Sequence, residues 1–214
     1  EMLKNLTTVL DRFRKAKLKL RPEKCFLFQH EVEFCGQLIS QSGRRVSEKR
    51  SSCLDDLQFP TDIHELRRVI GFFSYNRSYI QNFADLVKPL SAMTRKGAVI
   101  EPNDDALRSF ELLKQAVRSA PVLGIIRDEG DFVLETDASL YALGAACYQY
   151  QDGILKCLGY ASRALNRSER NYCTTRREVL AIIFGLKTFR SYLTKHKVIV
   201  KCDHAALIHY QNTP

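Results

Sequence analysis

The chain has 214 residues, of which 45% are hydrophobic and 27% charged, so it can bury a core and has an ordinary globular composition. Its net charge of +9 comes from 33 Lys and Arg against 24 Asp and Glu, and residues 1–50 carry 12 basic against 6 acidic side chains. This excess favours nucleic acid over a membrane as a partner, although a solvated basic surface explains it equally well. The longest apolar run, VLAIIFGL at 179–186, is too short to span a bilayer.

The seven cysteines are odd in number, form no CxxC pair and follow no apolar signal segment. Reduced thiols in an intracellular setting are therefore expected, rather than a disulfide framework. The sequence opens within a helical pattern, and Pro214 follows soon after a predicted strand. We expect both ends to lie within a longer polypeptide.

The first 45 residues predict a helix followed by two short strands. Apolar residues recur at helical spacing over 2–17, and Pro22 ends that run. Residues 25–40 read as the strands CFLFQ and VEFCGQLIS, and the turn signal QSGRR follows them.

Residues 48–119 have a helical pattern. Pro60, Thr61 and Asp62 precede one predicted helix, a second is expected at 85–95 although it contains Pro89, and EPNDDA introduces a third. The aromatic residues in this stretch favour a helical core over a surface for stacking bases; they are Phe72, Phe73, Tyr75, Tyr79 and Phe83.

The pattern changes after Pro121. Strands are predicted at 131–138, 142–150 and 154–162, with the hairpin signal QDG before the third. A helix at about 175–193 and a strand at 197–203 follow. This β-β-β-α-β order predicts an α/β domain whose mixed sheet combines hairpins with a crossover, and places a domain boundary at 119–122.

Three carboxylates stand in this domain where apolar patterning would not put them. Asp137 ends the first predicted strand, Glu178 lies near the start of the helix and Asp203 ends the last strand. If these positions converge, the three charges repel one another unless a cation neutralises them. Oxygen ligands without His or Cys suit Mg²⁺ or Mn²⁺, and a pair of such ions catalyses phosphodiester hydrolysis.

Each carboxylate also has a local explanation. Thr175 and Glu178 fit a capping box, Asp203 could cap a helix that begins near His204, and Asp137 could be a turn residue. Each residue alone is weak evidence, whereas the three in this topology are more specific.

The segments FVLETDAS…GAACYQ, YASRALNRSERNYCTTRREVLAIIFGLKTFRSYL and VKCDHAAL resemble the ribonuclease H domain of gypsy-like (Ty3/gypsy) LTR retrotransposon Pol polyproteins. Upstream, LKLRPEKCFLFQHEVEFCGQLIS resembles the end of the reverse transcriptase palm with its primer-grip hairpin. LRRVIGFFSYNRSYIQNFADLVKPLSAMTRKG resembles the thumb and connection.

This resemblance implies a palm end and hairpin at 1–45, a helical thumb and connection at 46–120, and a ribonuclease H-like mixed-sheet domain at 121–214 that is cut short at its C-terminus. It places the metal ligands on Asp137, Glu178 and Asp203, which would hold two Mg²⁺ or Mn²⁺ ions. Ser139 and Arg163 are weaker candidates for substrate contact.

The resemblance also implies absences and departures. The polymerase aspartates of the YxDD motif are expected upstream of residue 1, and a fourth acidic ligand is expected beyond Pro214. The 214 residues alone are therefore expected to show weak activity at best. Arg176 stands where the family usually has an acidic residue, Cys202 stands where Thr is usual, and the connector tryptophan is missing.

The resulting hypothesis is metal-dependent cleavage of the RNA strand of RNA–DNA hybrids, within a polyprotein that also has RNA-directed DNA polymerase activity. Expected partners are RNA–DNA hybrid, template–primer and the rest of Pol, without a membrane. The expected location is intracellular, either in cytoplasmic virus-like particles or in the nucleus. The alternative is a catalytically inactive, retroelement-derived module that binds nucleic acid or protein.

Overall fold

The computed structural model describes residues 1–203, and the chain divides into two compact units, Glu1–Val32 and Glu33–Pro214. The first unit contains helix α1 (Met2–Lys15) and a short 3-10 turn at Pro22–Lys24. Strand β1 (Glu31–Phe34) begins at the end of this unit. The predicted N-terminal helix is confirmed. The predicted strand CFLFQ is wrong, because residues 25–29 adopt no strand.

The second unit begins with an antiparallel hairpin of β2 (Gln37–Ser40) and β3 (Gly43–Val46). The predicted single strand VEFCGQLIS is interrupted, since Cys35 and Gly36 have φ angles of 50° and 72°. This left-handed backbone is incompatible with an extended strand, so the chain turns there and β2 starts anew.

Five helices follow the hairpin: α2 (Glu48–Ser52), α3 (Ile63–Tyr75), α4 (Phe83–Leu86), α5 (Lys88–Ala92) and α6 (Asp104–Arg118). The N-cap side chain of Asp62 accepts hydrogen bonds from two backbone amides of α3. The helix predicted at 85–95 is two short helices. Pro89 is tolerated because it lies in the first turn of α5, where its missing N–H is not needed.

The helical part has its own apolar core, which also receives Val46 and Leu123 from the chain on either side. Leu66, Phe73 and Leu113 are fully buried in it. Of the five aromatic residues, Phe73, Tyr79 and Phe83 are buried in this core, which confirms the prediction for them. Phe72 is partly buried and packs against this core, whereas Tyr75 is 42% exposed and its hydroxyl donates to the Cys35 carbonyl.

A four-stranded mixed sheet follows the helical part, in the order β6-β5-β4-β7. Its strands are β4 (Phe132–Ala138), β5 (Ala142–Gln151), β6 (Ile154–Ala164) and β7 (Val198–Cys202). The β4–β5 and β5–β6 pairs are antiparallel, whereas β4 and β7 run parallel. The predicted α/β fold with a mixed sheet is confirmed.

Helix α7 (Thr174–Thr188) makes the crossover between β6 and β7 and packs on the sheet. A Cβ on its Gly185 would lie 3.2 Å from the side chains of Leu134 and Ala145, so the helix approaches the sheet closely there. The helix predicted at 175–193 is divided at Phe189, after which α8 (Arg190–Leu193) follows.

The hairpin and the helical part both contact the sheet. Arg44 donates to the Leu158 carbonyl at 3.0 Å, and the amide of Ala84 donates to the Ser162 hydroxyl at 2.9 Å. The limits proposed from sequence, 1–45, 46–120 and 121–214, stay predictions. Within residues 1–203 no helix combines the length and apolarity needed to cross a membrane.

Candidate metal centre

The three predicted carboxylates come from two strands and one helix. Asp137 is the penultimate residue of β4, and Asp203 directly follows β7. Because β4 and β7 are parallel neighbours with Thr136 opposite Cys202, their carboxyl ends bring these two aspartates to the same edge of the sheet. Glu178 is the fifth residue of α7, which lies across β4 and β5.

The structure brings the three side chains together: one carboxylate oxygen from each lies within 4.8 Å of the other two. Asp137 and Asp203 are exposed, whereas Glu178 is only 4% exposed. Three carboxylates this close repel one another, so a divalent cation between them would remove an unfavourable energy. The all-oxygen donor set fits a hard cation such as Mg²⁺ or Mn²⁺. The role of these residues as ligands stays a prediction.

The structure argues against two of the local explanations. Asp137 lies in β4, opposite Gly144 of β5, and is not a turn residue. Helix α7 begins at Thr174 with Cys173 as its N-cap, so Thr175 does not occupy the N-cap position that a capping box requires. The helix that Asp203 would cap, and His204, lie outside the described residues.

Beside Asp137 the structure has a small cavity of about 170 Å³. Asn82 lines it from the helical part and Gly144 lines it from β5. A Cβ at Gly144 would lie 2.8 Å from Asn82 Oδ1, so the Asn82 side chain approaches the sheet closely and would have to move for a larger residue. The candidate centre is therefore bordered by residues from both the helical part and the sheet.

Arg163 and Glu169 form a bidentate ion pair near the start of α7. The two guanidinium nitrogens donate to the two carboxylate oxygens at 2.7 and 2.9 Å, and the amide of Asn166 donates to Glu169 at 2.8 Å. These hydrogen bonds, from Arg163 first, lower the pKa of Glu169 to about 2. Arg163, a candidate for substrate contact, is thus engaged in holding the loop that leads into α7.

Arg177 was not among the residues predicted from the sequence, and it is only 8% exposed although it is charged. Its Nη1 donates to the Ser139 carbonyl at 3.0 Å, two residues beyond Asp137. The single hydroxyl hydrogen of Ser139 is shared between the two carboxylate oxygens of Asp85, each 3.2 Å from Oγ. The place of Arg177 directly before Glu178 is the sequence signal that could have pointed to this contact, whereas nothing in the sequence links Asp85 to Ser139.

Comparison with known proteins relates part of this chain to a family. Residues 103–200 match the family model described as the RNase H-like domain found in reverse transcriptase. These residues carry an RNase H-like domain of the kind found in reverse transcriptase. The resemblance to gypsy-like Pol sequences is confirmed by relatives that are 31% and 35% identical over nearly the whole chain.

The curated relatives include the retrovirus-related Pol polyproteins of Drosophila melanogaster transposons 412 and opus, each 35% identical over 96% and 95% of this chain. The Tf2-3 polyprotein of Schizosaccharomyces pombe is 31% identical over 97% of the chain. The chain spans only 17%, 22% and 16% of the length of these relatives.

Among solved structures, a foamy viral protease-reverse transcriptase in complex with RNA/DNA hybrid has a TM-score of 0.79 and 23% identity. It matches 99% of this chain, which covers 29% of that one. A foamy viral protease-reverse transcriptase dRH in complex with double-stranded DNA has the same TM-score and identity; 99% of this chain matches 38% of it. At this identity the likeness shows the fold alone, and it supports the RNase H-like architecture of residues 132–202.

Proposed function

We propose that the chain hydrolyses the RNA strand of RNA–DNA hybrids as the ribonuclease H part of a retrotransposon reverse transcriptase. The observation that carries this proposal is the convergence of Asp137, Glu178 and Asp203 within 4.8 Å at the carboxyl ends of two parallel strands. The family match and the hybrid bound by a foamy viral neighbour support it. RNA-directed polymerisation belongs, in this proposal, to the longer polyprotein.

The three carboxylates would hold two Mg²⁺ or Mn²⁺ ions. Such ions supply charge neutralisation at the scissile phosphate and a nucleophile at neutral pH. Buried Glu178 fixes one side of the centre, because packing on the sheet restricts its helix. Exposed Asp137 and Asp203 face solvent, where a phosphate backbone can approach.

Recognition of the hybrid is proposed to follow from shape and charge. The basic excess of the chain suits a polyanion, and A-form-like duplexes are read mainly through backbone and 2′-hydroxyl contacts. We further propose that the parent polyprotein works inside the cell, in virus-like particles or in the nucleus.

The test is cleavage of a labelled RNA–DNA hybrid by the 214-residue chain in Mg²⁺ or Mn²⁺. Asp137→Asn keeps the size of the side chain but removes its charge, and should lower the cleavage rate at least about 100-fold, the upper range for changes that only touch a ligand's neighbours. Asp152→Asn is the matched control, since Asp152 lies in the β5–β6 turn and pairs with Arg127.

Undiminished cleavage by Asp137→Asn would contradict the assignment of the metal ligands. Because the 214 residues alone are expected to be weakly active at best, a chain extended past Pro214 is assayed beside them; hybrid binding by both chains, with no cleavage by either in either metal, would favour the inactive binding module instead.

A further inference from the structure

We propose that Arg177 and Asp85 are positioning residues of the metal centre, which act through Ser139. This inference rests on the proposed function, because it assigns a purpose to contacts next to the three carboxylates. Asp85, Ser139 and Arg177 are together called the brace. The brace links helix α4 of the helical part to the end of β4 and to the second turn of α7.

Ser139 is the centre of the brace and stands two residues after Asp137. Its hydroxyl accepts hydrogen bonds from the amides of Tyr141 and Ala142 at 3.1 and 2.9 Å. Its amide donates to the Ala142 carbonyl at 2.9 Å. These bonds close the β4–β5 turn around one side chain, so the position of that turn sets where β4 ends and where Asp137 lies.

Arg177 holds the turn from the side of α7. Its Nη1 donates to the Ser139 carbonyl, and its Nη2 contacts Thr174 Oγ1 at 3.4 Å within the first turn of its own helix. Since Glu178 is the next residue, one buried side chain joins the strand that carries Asp137 to the helix that carries Glu178. Burying a guanidinium is costly, and here it secures the distance between two proposed ligands.

Asp85 holds the same turn from the helical part. Its two carboxylate oxygens share the single hydroxyl hydrogen of Ser139, each at 3.2 Å from Oγ, and the Ala142 carbonyl at 3.3 Å is the competing acceptor. Two neighbours of Asp85 reinforce this contact: the amide of Ala84 bonds to Ser162 on β6, and Nζ of Lys88 lies 3.0 Å from the ring centroid of Tyr141. Three contacts along five residues fix α4 against this end of the sheet.

A positioning role and a purely electrostatic role of Arg177 predict opposite changes in Mg²⁺ affinity when Arg177 is replaced. Removing a cation near three carboxylates should by itself strengthen the binding of a divalent cation. Loss of the contact to Ser139 should instead let Asp137 and Glu178 separate and weaken that binding. Asp85 allows a second test that separates the effect of charge from the effect of the hydrogen bond. Asp85→Asn removes the charge but keeps an oxygen that accepts from Ser139.

The experiment measures Mg²⁺ affinity by isothermal titration calorimetry on the full chain, with hybrid cleavage and the thermal midpoint recorded in parallel. Arg177→Ala and Asp85→Ala should each weaken Mg²⁺ binding about tenfold, the lower range for residues that orient metal ligands. Arg177→Lys should recover part of the Arg177→Ala loss, and Asp85→Asn should bind Mg²⁺ as the wild type does.

Tighter Mg²⁺ binding by Arg177→Ala would overturn the inference, as would equal losses in Asp85→Asn and Asp85→Ala. If an alanine variant does not fold, the Lys and Asn variants decide: an Arg177→Lys protein that binds Mg²⁺ more tightly than the wild type contradicts positioning. If the wild type binds Mg²⁺ and depends on Asp137 while all four variants are unchanged, the brace fails and the proposed function stands. If the wild type neither binds Mg²⁺ nor cleaves hybrid, both the proposed function and the positioning role of the brace are contradicted.

Discussion

The helical part and the carboxylate end of the sheet are built on opposite principles. The helical part buries large apolar side chains around Leu66, Phe73 and Leu113, each 0% exposed. The carboxylate end instead buries Arg177 and Glu178 and crowds two exposed aspartates beside them. Apolar burial stabilises a fold, whereas buried charges and like-charge clusters cost free energy unless they are compensated.

This difference indicates where stability and function reside. Within one compact unit, the helical core supplies free energy of unfolding that the carboxylate end does not. The candidate site can therefore retain mutual repulsion and a buried guanidinium without loss of the fold. Substitutions in the two regions should accordingly change stability in different directions.

The largest effect is expected in the helical core. Leu113→Ala removes a fully buried side chain from α6 and should lower the free energy of unfolding by about 2–5 kcal/mol. Leu107→Ala, on the same helix but 39% exposed, is the matched control and should cost less than about 1 kcal/mol. Urea denaturation of both variants checks this, and equal losses would show that the two positions share one environment.

The convergence of the carboxylates was predictable from the sequence for a physical reason. Asp137 and Asp203 each follow an apolar strand, and a strand order that places those strands in parallel must bring their ends together. Glu178 was also predicted from its place near the start of the helix, but its distance from the two aspartates depends on how α7 crosses the sheet. Periodicity also predicted α3 and α6, since each of these helices buries one apolar stripe.

The brace and the turns were not predictable in this way. Asp85 and Ser139 are 54 positions apart, and their contact depends on the placement of α4, a single turn without strong periodicity. The strand predicted at 25–29 failed because an apolar run alone does not specify backbone conformation, and Phe28 has a φ of 60°. Cys35 shows the same limit, because its backbone is left-handed although cysteine is not a residue type that predicts a turn.

A smaller effect concerns pH and the loop before α7. The pKa of Glu169 is lowered from its ordinary value of 4.5 to about 2 by Arg163 and Asn166. A carboxyl with a lowered folded-state pKa contributes stability above pH 4.5, and this contribution is lost as the pH falls from 4.5 towards 2. Glu169→Gln should cost about 1–2 kcal/mol at pH 7 and progressively less below pH 4.5.

The measurement is the free energy of unfolding of the wild type minus that of Glu169→Gln, taken at several pH values, because other carboxylates titrate in both proteins and cancel. A difference that stays constant between pH 7 and pH 3 would contradict the pairing with Arg163. Asp131→Asn serves as a control on an exposed pair, since Asp131 bonds Lys197 at 3.0 Å with both side chains open to solvent.

The smallest effect has the opposite sign and lies at the candidate metal centre. Without divalent cations, Asp137→Asn removes one of three mutually repelling charges and should raise the free energy of unfolding by about 0.5 kcal/mol, less in high salt. Asp152→Asn removes an attraction to Arg127 at 2.8 Å, so it should not stabilise the protein.

Addition of Mg²⁺ should then reverse the order of stability of the wild type and Asp137→Asn. A ligand at 100 times its dissociation constant stabilises the folded state by about 2.7 kcal/mol, and only a protein that binds it gains this. The wild type should therefore become more stable than Asp137→Asn in thermal unfolding with Mg²⁺. If Mg²⁺ stabilises the variant as much as the wild type, Asp137 is not a ligand. The proposed functional difference between the carboxylate end of the sheet and the helical core would then lose its support.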